Sequence, residues 1–105
     1  MKKRNIILIG MPGAGKSSVG VILAKALGYE FIDTDLVIQH REKRLLREII
    51  ADEGNEGFLA IENEVNATLE ADESVIAPGG SAIYGKEAME HFKEIGIIVY
   101  LKLSY

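Results

Sequence analysis

The sequence predicts an α/β fold, a three-layer α/β/α arrangement around a parallel sheet, and three observations predict it. Short, continuously apolar runs alternate with longer stretches whose apolar residues recur at three- and four-residue steps. The first run, Ile6 to Ile9, passes directly into a glycine-rich turn, Gly10-Met11-Pro12-Gly13-Ala14-Gly15-Lys16-Ser17, and then into a helical pattern. A second glycine turn, Pro78-Gly79-Gly80-Ser81, follows another apolar run. Strands alternating with helices imply right-handed crossovers with helices on both faces, and the carboxyl ends of all the strands then share one edge.

Asn5 to Ile9 reads as a strand buried on both faces, because Ile and Leu continue without alternation. From Lys16 to Leu27, Val19, Ile22, Leu23, Ala26 and Leu27 fall at helical spacing, and Gly28 is the expected stop. Tyr29 to Asp33 is a second short strand that releases Asp33, Thr34 and Asp35. A helix over Leu36 to Arg41 follows, with Thr34 or Asp35 near its cap. The charged stretch Arg41 to Arg44 reads as a solvated surface. Leu45 to Asp52 is helical, Gly54 and Gly57 punctuate it, and Phe58, Ile61, Glu62, Val65 and Leu69 trace a longer amphipathic helix. Ser74 to Ala77 is the third strand, Glu87 to Glu94 a helix closed by Gly96, and Ile97 to Leu103 the fourth strand.

Composition narrows the function. The chain has 105 residues, which allows one domain over 1–105 but is short for a complete nucleotide-handling α/β enzyme. A formal net charge of −4 argues against a nucleic-acid partner held by general electrostatics. The absence of cysteine removes disulfide and zinc-thiolate frameworks and suits a reducing cytoplasm. Lys2, Lys3 and Arg4 imitate the start of a signal peptide, but the apolar run ends at Gly10, and nothing approaches the roughly 18 apolar residues of a membrane span.

The turn from Gly10 to Ser17 is the Walker A pattern in its required context, strand before and helix after. Glycines let the chain curl so that several N–H groups, those of Gly13, Ala14, Gly15, Lys16, Ser17 and Ser18, point together at a polyphosphate. Lys16 is expected to reach the β- and γ-phosphates, Ser17 to offer its hydroxyl to Mg²⁺, and the helix to direct its positive end at the anion. Asp33, on a strand expected to lie beside this loop, is suited to a metal-bound water or to orienting an accepting hydroxyl. Asp35 is suited to hydrogen-bonding a polyol and accepting its proton. Each carboxylate has a plainer alternative as a helix cap. His40 and His91 show no spacing that suggests a triad or a metal pair.

These residues resemble the shikimate kinase family of small P-loop kinases, from the Walker loop with Ser18, Val19 and Gly20, through Leu27-Gly28, Phe31-Ile32-Asp33-Thr34-Asp35 and Phe58 to Glu62, to Gly79-Gly80 and Val99-Tyr100-Leu101. The resemblance implies the P-loop NTPase fold and ATP-dependent phosphorylation of the 3-hydroxyl of shikimate. By the same resemblance, Gly13 to Ser18 bind ATP, Ser17 and Asp33 hold Mg²⁺, and Lys16, Asp33 and Asp35 serve catalysis. Asp35, Glu62, Gly79 and Gly80 hold the acceptor. It further implies a monomeric cytoplasmic enzyme with no nucleic-acid or membrane partner.

Two positions depart from the pattern. Leu59 stands where the family carries an arginine that grips the substrate carboxylate, so Glu62, which steadies that arginine, lacks its partner, and the pocket is less suited to a carboxylate unless Arg44, Arg47 or something outside this chain compensates. Pro78 replaces the first glycine of the family's triple-glycine turn and removes an N–H donor. Family members continue through an arginine-bearing lid, a further strand and an adenine-contacting loop. The resemblance therefore implies a partial chain with poor turnover by itself. Leu59 keeps open a related kinase of another polyol or sugar acid such as gluconate, and a non-catalytic ATP-binding module is the alternative from a different class.

Overall fold

A computed structural model describes residues 4–10 and 16–101. Four strands, β1 (Asn5–Gly10), β2 (Glu30–Asp33), β3 (Ser74–Ala77) and β4 (Gly96–Leu101), form one sheet in the order β2-β3-β1-β4. Every pairing is parallel. The helices are α1 (Lys16–Leu27), α2 (Thr34–Glu42), α3 (Leu46–Ala67) and α4 (Lys86–Ile95), with one 3₁₀ turn at Ala82–Tyr84.

The unbroken apolar run of β1 is explained by its central position. Ile7 and Ile9 point to one face and pack with Ile76, Phe92 and Ile95, so α4 covers that side. Leu8 points to the other, with Val75 and Ala24 of α1. A strand that alternates between two buried faces needs apolar residues at every position. A third cluster, Ile38, Ile49 and Val65 with Phe58 and Ile61, joins α2 to α3.

Among the buried polar residues, Asn5 is the one that joins three segments of the sheet's starting edge. Asn5 is 2% exposed. Its Nδ2 donates to the carbonyls of Ala71 and Ile95, each at 2.9 Å, and its Oδ1 accepts from the Ser74 N–H at 3.0 Å. A single amide thus ties the start of β1 to the start of β3 and to the junction of α4 and β4.

Three expectations are corrected. β2 is not beside β1: it pairs with β3, which lies between them, so the acidic segment is one strand further from the phosphate loop than the sequence suggested. α2 starts at Thr34, two residues before the expected Leu36, and its cap is Asp33, the plainer role left open for that carboxylate; the Asp33 Oδ1 accepts the Asp35 N–H at 2.9 Å, which satisfies one of the free donors of the first turn. Gly57 does not interrupt α3, whereas Gly54 does, with φ 75° and ψ 173° inside the run. The stop at Gly28 is as expected, at φ 71°. The fourth strand starts one residue earlier, and residues 102 and 103 lie outside the described residues.

Replacing Asn5 by Ala leaves two buried carbonyls and one N–H unpaired, and we expect a loss of about 2–3 kcal/mol or more in urea unfolding of the whole protein. A change within about 0.5 kcal/mol would mean that water replaces the amide without cost.

Candidate active site

The register aligns the strand ends. Asp33, the last residue of β2, pairs with Ala77, the last of β3, and Gly10 ends β1 on the same edge. The segments that follow, Thr34–Asp35, Pro78–Ser81 and the start of α1, therefore open onto one rim, as ligand sites do in parallel sheets.

Lys16 opens α1 and lies across this rim. Its Nζ donates to the carbonyl of Gly10 at 3.0 Å and, at 3.5 Å, to that of Pro78. The ammonium thus spans the exits of the two central strands. The first turn of α1 contains no acidic residue, and Ser17 and Ser18 there are exposed, so no side chain of that turn opposes an anion at the helix's positive end. Gly13, Ala14 and Gly15 of the expected cradle lie outside the described residues.

Opposite Lys16 is a group of carboxylates arranged around Gly79. A Cβ on Gly79 would come within 2.9 Å of Asp35 Oδ1 and 3.1 Å of Glu62 Oε2, so the bare backbone of this turn is what lets both acids approach. Glu62 reaches the turn from α3, with the residue 2% exposed, and its Oε1 accepts from Ser81 Oγ at 2.7 Å. Glu62 is therefore not left without a partner by Leu59. Ser81 was not among the residues singled out from the sequence, although its place at the end of a glycine turn was a signal for it. Gly80 is exposed at the tip of the same turn.

The two acids share an electrostatic environment. Burial raises the Asp35 carboxyl above its ordinary value; the Asp33 charge adds to the shift and Lys16 opposes it. Burial also raises Glu62, against the hydrogen bond from Ser81; Asp35 pushes it further up and Lys16 pulls it down. Lys16, Asp33, Asp35 and Glu62 therefore act on one another, although they come from α1, β2, α2 and α3.

The other candidate cations are placed elsewhere. Arg44 is bonded to Glu42 at 3.0 Å, Asp52 at 3.1 Å and Glu53 at 3.2 Å, which stitches the end of α2 to the part of α3 before Gly54. It is not free to replace an arginine at position 59, and Arg47 is exposed. Among the described residues no group of three or more acidic, His or Cys side chains forms a metal cage. The donor set fits a magnesium ion held by one or two protein groups and by phosphate oxygens: Ser17 Oγ is exposed, and Asp33 keeps its second carboxylate oxygen free of the capping bond.

The chain is similar to known proteins over nearly its whole length. The family model described as shikimate kinase matches residues 12–105. Shikimate kinase 2 of Yersinia enterocolitica is 39% identical over 101 residues, covering 96% of this chain and 58% of that relative. The solved structure of an Acinetobacter baumannii shikimate kinase in complex with shikimate is 37% identical, with a TM-score of 0.87 over 97% of this chain and 57% of that one. A gluconokinase structure from Sinorhizobium meliloti is 26% identical, with a TM-score of 0.55 over 97% of this chain and 59% of that one. The chain thus spans a little under three fifths of the length of these relatives. Among the described residues no helix is long and apolar enough to cross a membrane.

The raised carboxyls give a test by pH. Glu62 binds its proton more tightly in the fold than in the unfolded chain, so the native state holds more protons from the ordinary value of 4.5 upward. Its contribution is present below that value and is lost as pH rises through the raised one. Glu62→Gln keeps an acceptor for Ser81 and removes the titration. We expect its stability, relative to the unaltered protein, to increase from mildly acidic to neutral pH in urea unfolding. A difference that stays constant with pH would show that Glu62 is not perturbed.

Proposed function

Because the chain belongs to the shikimate kinase family, we propose that the whole protein transfers a phosphoryl group from ATP, with Mg²⁺, to a hydroxyl of shikimate. The observation that carries this reading is the meeting of Lys16, Asp35 and Glu62 around Gly79, a cation for phosphate facing acids for a hydroxyl. In this reading residues 1–105 belong to a single kinase domain, which works as a cytoplasmic monomer.

Each residue then has a physical task. Lys16 and the N–H groups of residues 13–18 hold the phosphates, and Lys16 neutralises charge that spreads over the transferred group. Ser17 and Asp33 would hold Mg²⁺, which would supply neutralisation of the phosphate charge. Asp35 accepts a hydrogen bond from the acceptor hydroxyl and takes its proton as the oxygen bonds to phosphorus and the bond to the leaving nucleoside diphosphate breaks. A carboxyl with raised proton affinity suits that task better than an exposed one. Glu62, Gly79 and Gly80 orient the acceptor, with Ser81 holding Glu62 in place.

Leu59 and the gluconokinase likeness favour a second reading, in which the acceptor is another polyol or sugar acid. ADP release with shikimate and with a panel of polyols, using the whole protein, separates the two. Turnover with another polyol and none with shikimate would overturn the first.

Lys16→Ala should lower kcat/KM by about two orders of magnitude, the loss of one preorganised charge donor worth about 3 kcal/mol. Asp35→Asn should lower turnover with nucleotide affinity unchanged, read as kcat against the Kd of ADP. Equal loss of both would remove Asp35 from the acceptor side.

A further inference from the structure

The segment that follows β3 and carries Gly79 and Gly80 is gripped by α3 at two points. Near its start, Glu62 accepts from Ser81 Oγ at 2.7 Å. Near its end, the next residue of α3, Asn63, reaches the first turn of α4, where its Oδ1 accepts the Ala88 N–H at 3.0 Å. Its Nδ2 donates to Glu87 Oε2 at 3.3 Å, which fixes which end of the amide faces the helix.

Asn63 stands in for a cap that α4 lacks. Gly85, the cap residue, has no side chain to accept a free N–H of the first turn, so the acceptor comes from another helix. The bare backbone at Gly85 permits this, since a Cβ there would collide with Asn63 Oδ1. Gly79 and Gly85 thus serve alike: each lets the segment lie against a polar side chain of α3.

A cap alone would order only α4, but the two grips are joined. Backbone N–H groups donate from Ala82 to Gly79 at 3.1 Å, from Tyr84 to Ser81 at 3.1 Å, from Gly85 to Ala82 at 3.0 Å and from Met89 to Gly85 at 3.0 Å. Ala82, in the middle of this run, is buried. An unbroken series of backbone bonds therefore links Gly79 to α4. Where Asn63 seats α4 on α3 sets where Gly79 lies against Asp35 and Glu62.

We propose that Asn63 is a positioning residue for the acceptor, which seats the Gly79 turn where Ser81 meets Glu62 and the glycine meets Asp35. The proposal rests on the phosphotransferase reading and adds to it a residue that acts through the turn rather than on the acceptor itself.

The test compares Asn63→Leu, Asn63→Asp and the pair Asn63→Asp with Glu87→Gln in the whole protein. Asn63→Leu removes both bonds. Asn63→Asp keeps an oxygen for the Ala88 N–H but sets a second carboxylate against Glu87, and adding Glu87→Gln restores that bond with donor and acceptor exchanged. We expect Asn63→Leu to raise the KM of the acceptor about tenfold, the scale of one hydrogen bond, with the Kd of ADP unchanged. Asn63→Asp should shift the same way, and the pair should recover most of the loss. Carboxyl carbon NMR adds a readout that needs no acceptor. The Ser81 bond lowers the Glu62 carboxyl, as Lys16 does, while Asp35 raises it, so a displaced turn should let Glu62 titrate at higher pH in Asn63→Leu. If folded Asn63→Leu loses stability in urea but keeps either the acceptor KM or the Glu62 titration, Asn63 only caps α4 and the proposal is overturned. Equal loss of acceptor and ADP binding overturns it too. Where Asn63→Leu does not fold, Asn63→Asp against the pair decides, and no recovery in the pair overturns it. A raised Glu62 titration in a protein that phosphorylates no acceptor leaves the seating of the turn standing and overturns only the phosphotransferase reading.

Discussion

At Gly79 the backbone that leaves β3 lies close against two carboxylates, so that a methyl group there would crowd Asp35 Oδ1 and Glu62 Oε2 and make them shift. This close passage organises the rim. It brings Asp35 and Glu62 to one spot, although 26 residues of other chain separate them, and it sets both within the field of Lys16. Buried like charges repel, and burial itself disfavours ionisation. The cluster is tolerable because Lys16 offsets part of the charge and Ser81 donates to Glu62. An arrangement that costs stability in the empty fold is the kind expected where charge must be stabilised during a reaction.

The sheet order explains why β3 carries so much of the site. As the strand between β1 and β2, β3 delivers its turn midway between the phosphate side and the acidic side. Lys16 touches the exits of β1 and β3, at the carbonyls of Gly10 and Pro78, so the cation bridges strands that are distant in sequence. Below the rim, Asn5 performs a comparable service at the opposite edge, where one buried amide fastens three segments. The sheet is thus tied at both ends by polar groups, while Ile7, Leu8, Ile76 and Phe92 fill the middle.

Much of this was legible in the amino-acid sequence because the signals are local. An unbroken Ile-Leu run marks a strand buried on both faces, Gly28 with a positive φ ends a helix, and the glycines of the second turn announce a close approach, seen at Gly79. What could not be read depends on contacts between distant segments. The order of strands in a sheet is not a local property, so the position of β3 between β1 and β2 was missed. Asp33 took the cap because its side chain reaches the Asp35 N–H, a role that residue type left open beside the binding of a metal or a hydroxyl. The bond between Ser81 and Glu62 and the use of Arg44 by three acids are likewise products of packing, not of spacing.

The central claim is that Lys16, Asp35 and Glu62 form one electrostatic unit, and carboxyl carbon NMR of the whole protein tests it most directly. Asp35 and Glu62 would be titrated in the unaltered protein and in Lys16→Met, which keeps length and removes charge. If the unit exists, both carboxyls shift to higher pKa in the variant, because a cation that lowers them is gone. Unchanged titration of both would show that the lysine and the acids are neighbours in space without acting on one another.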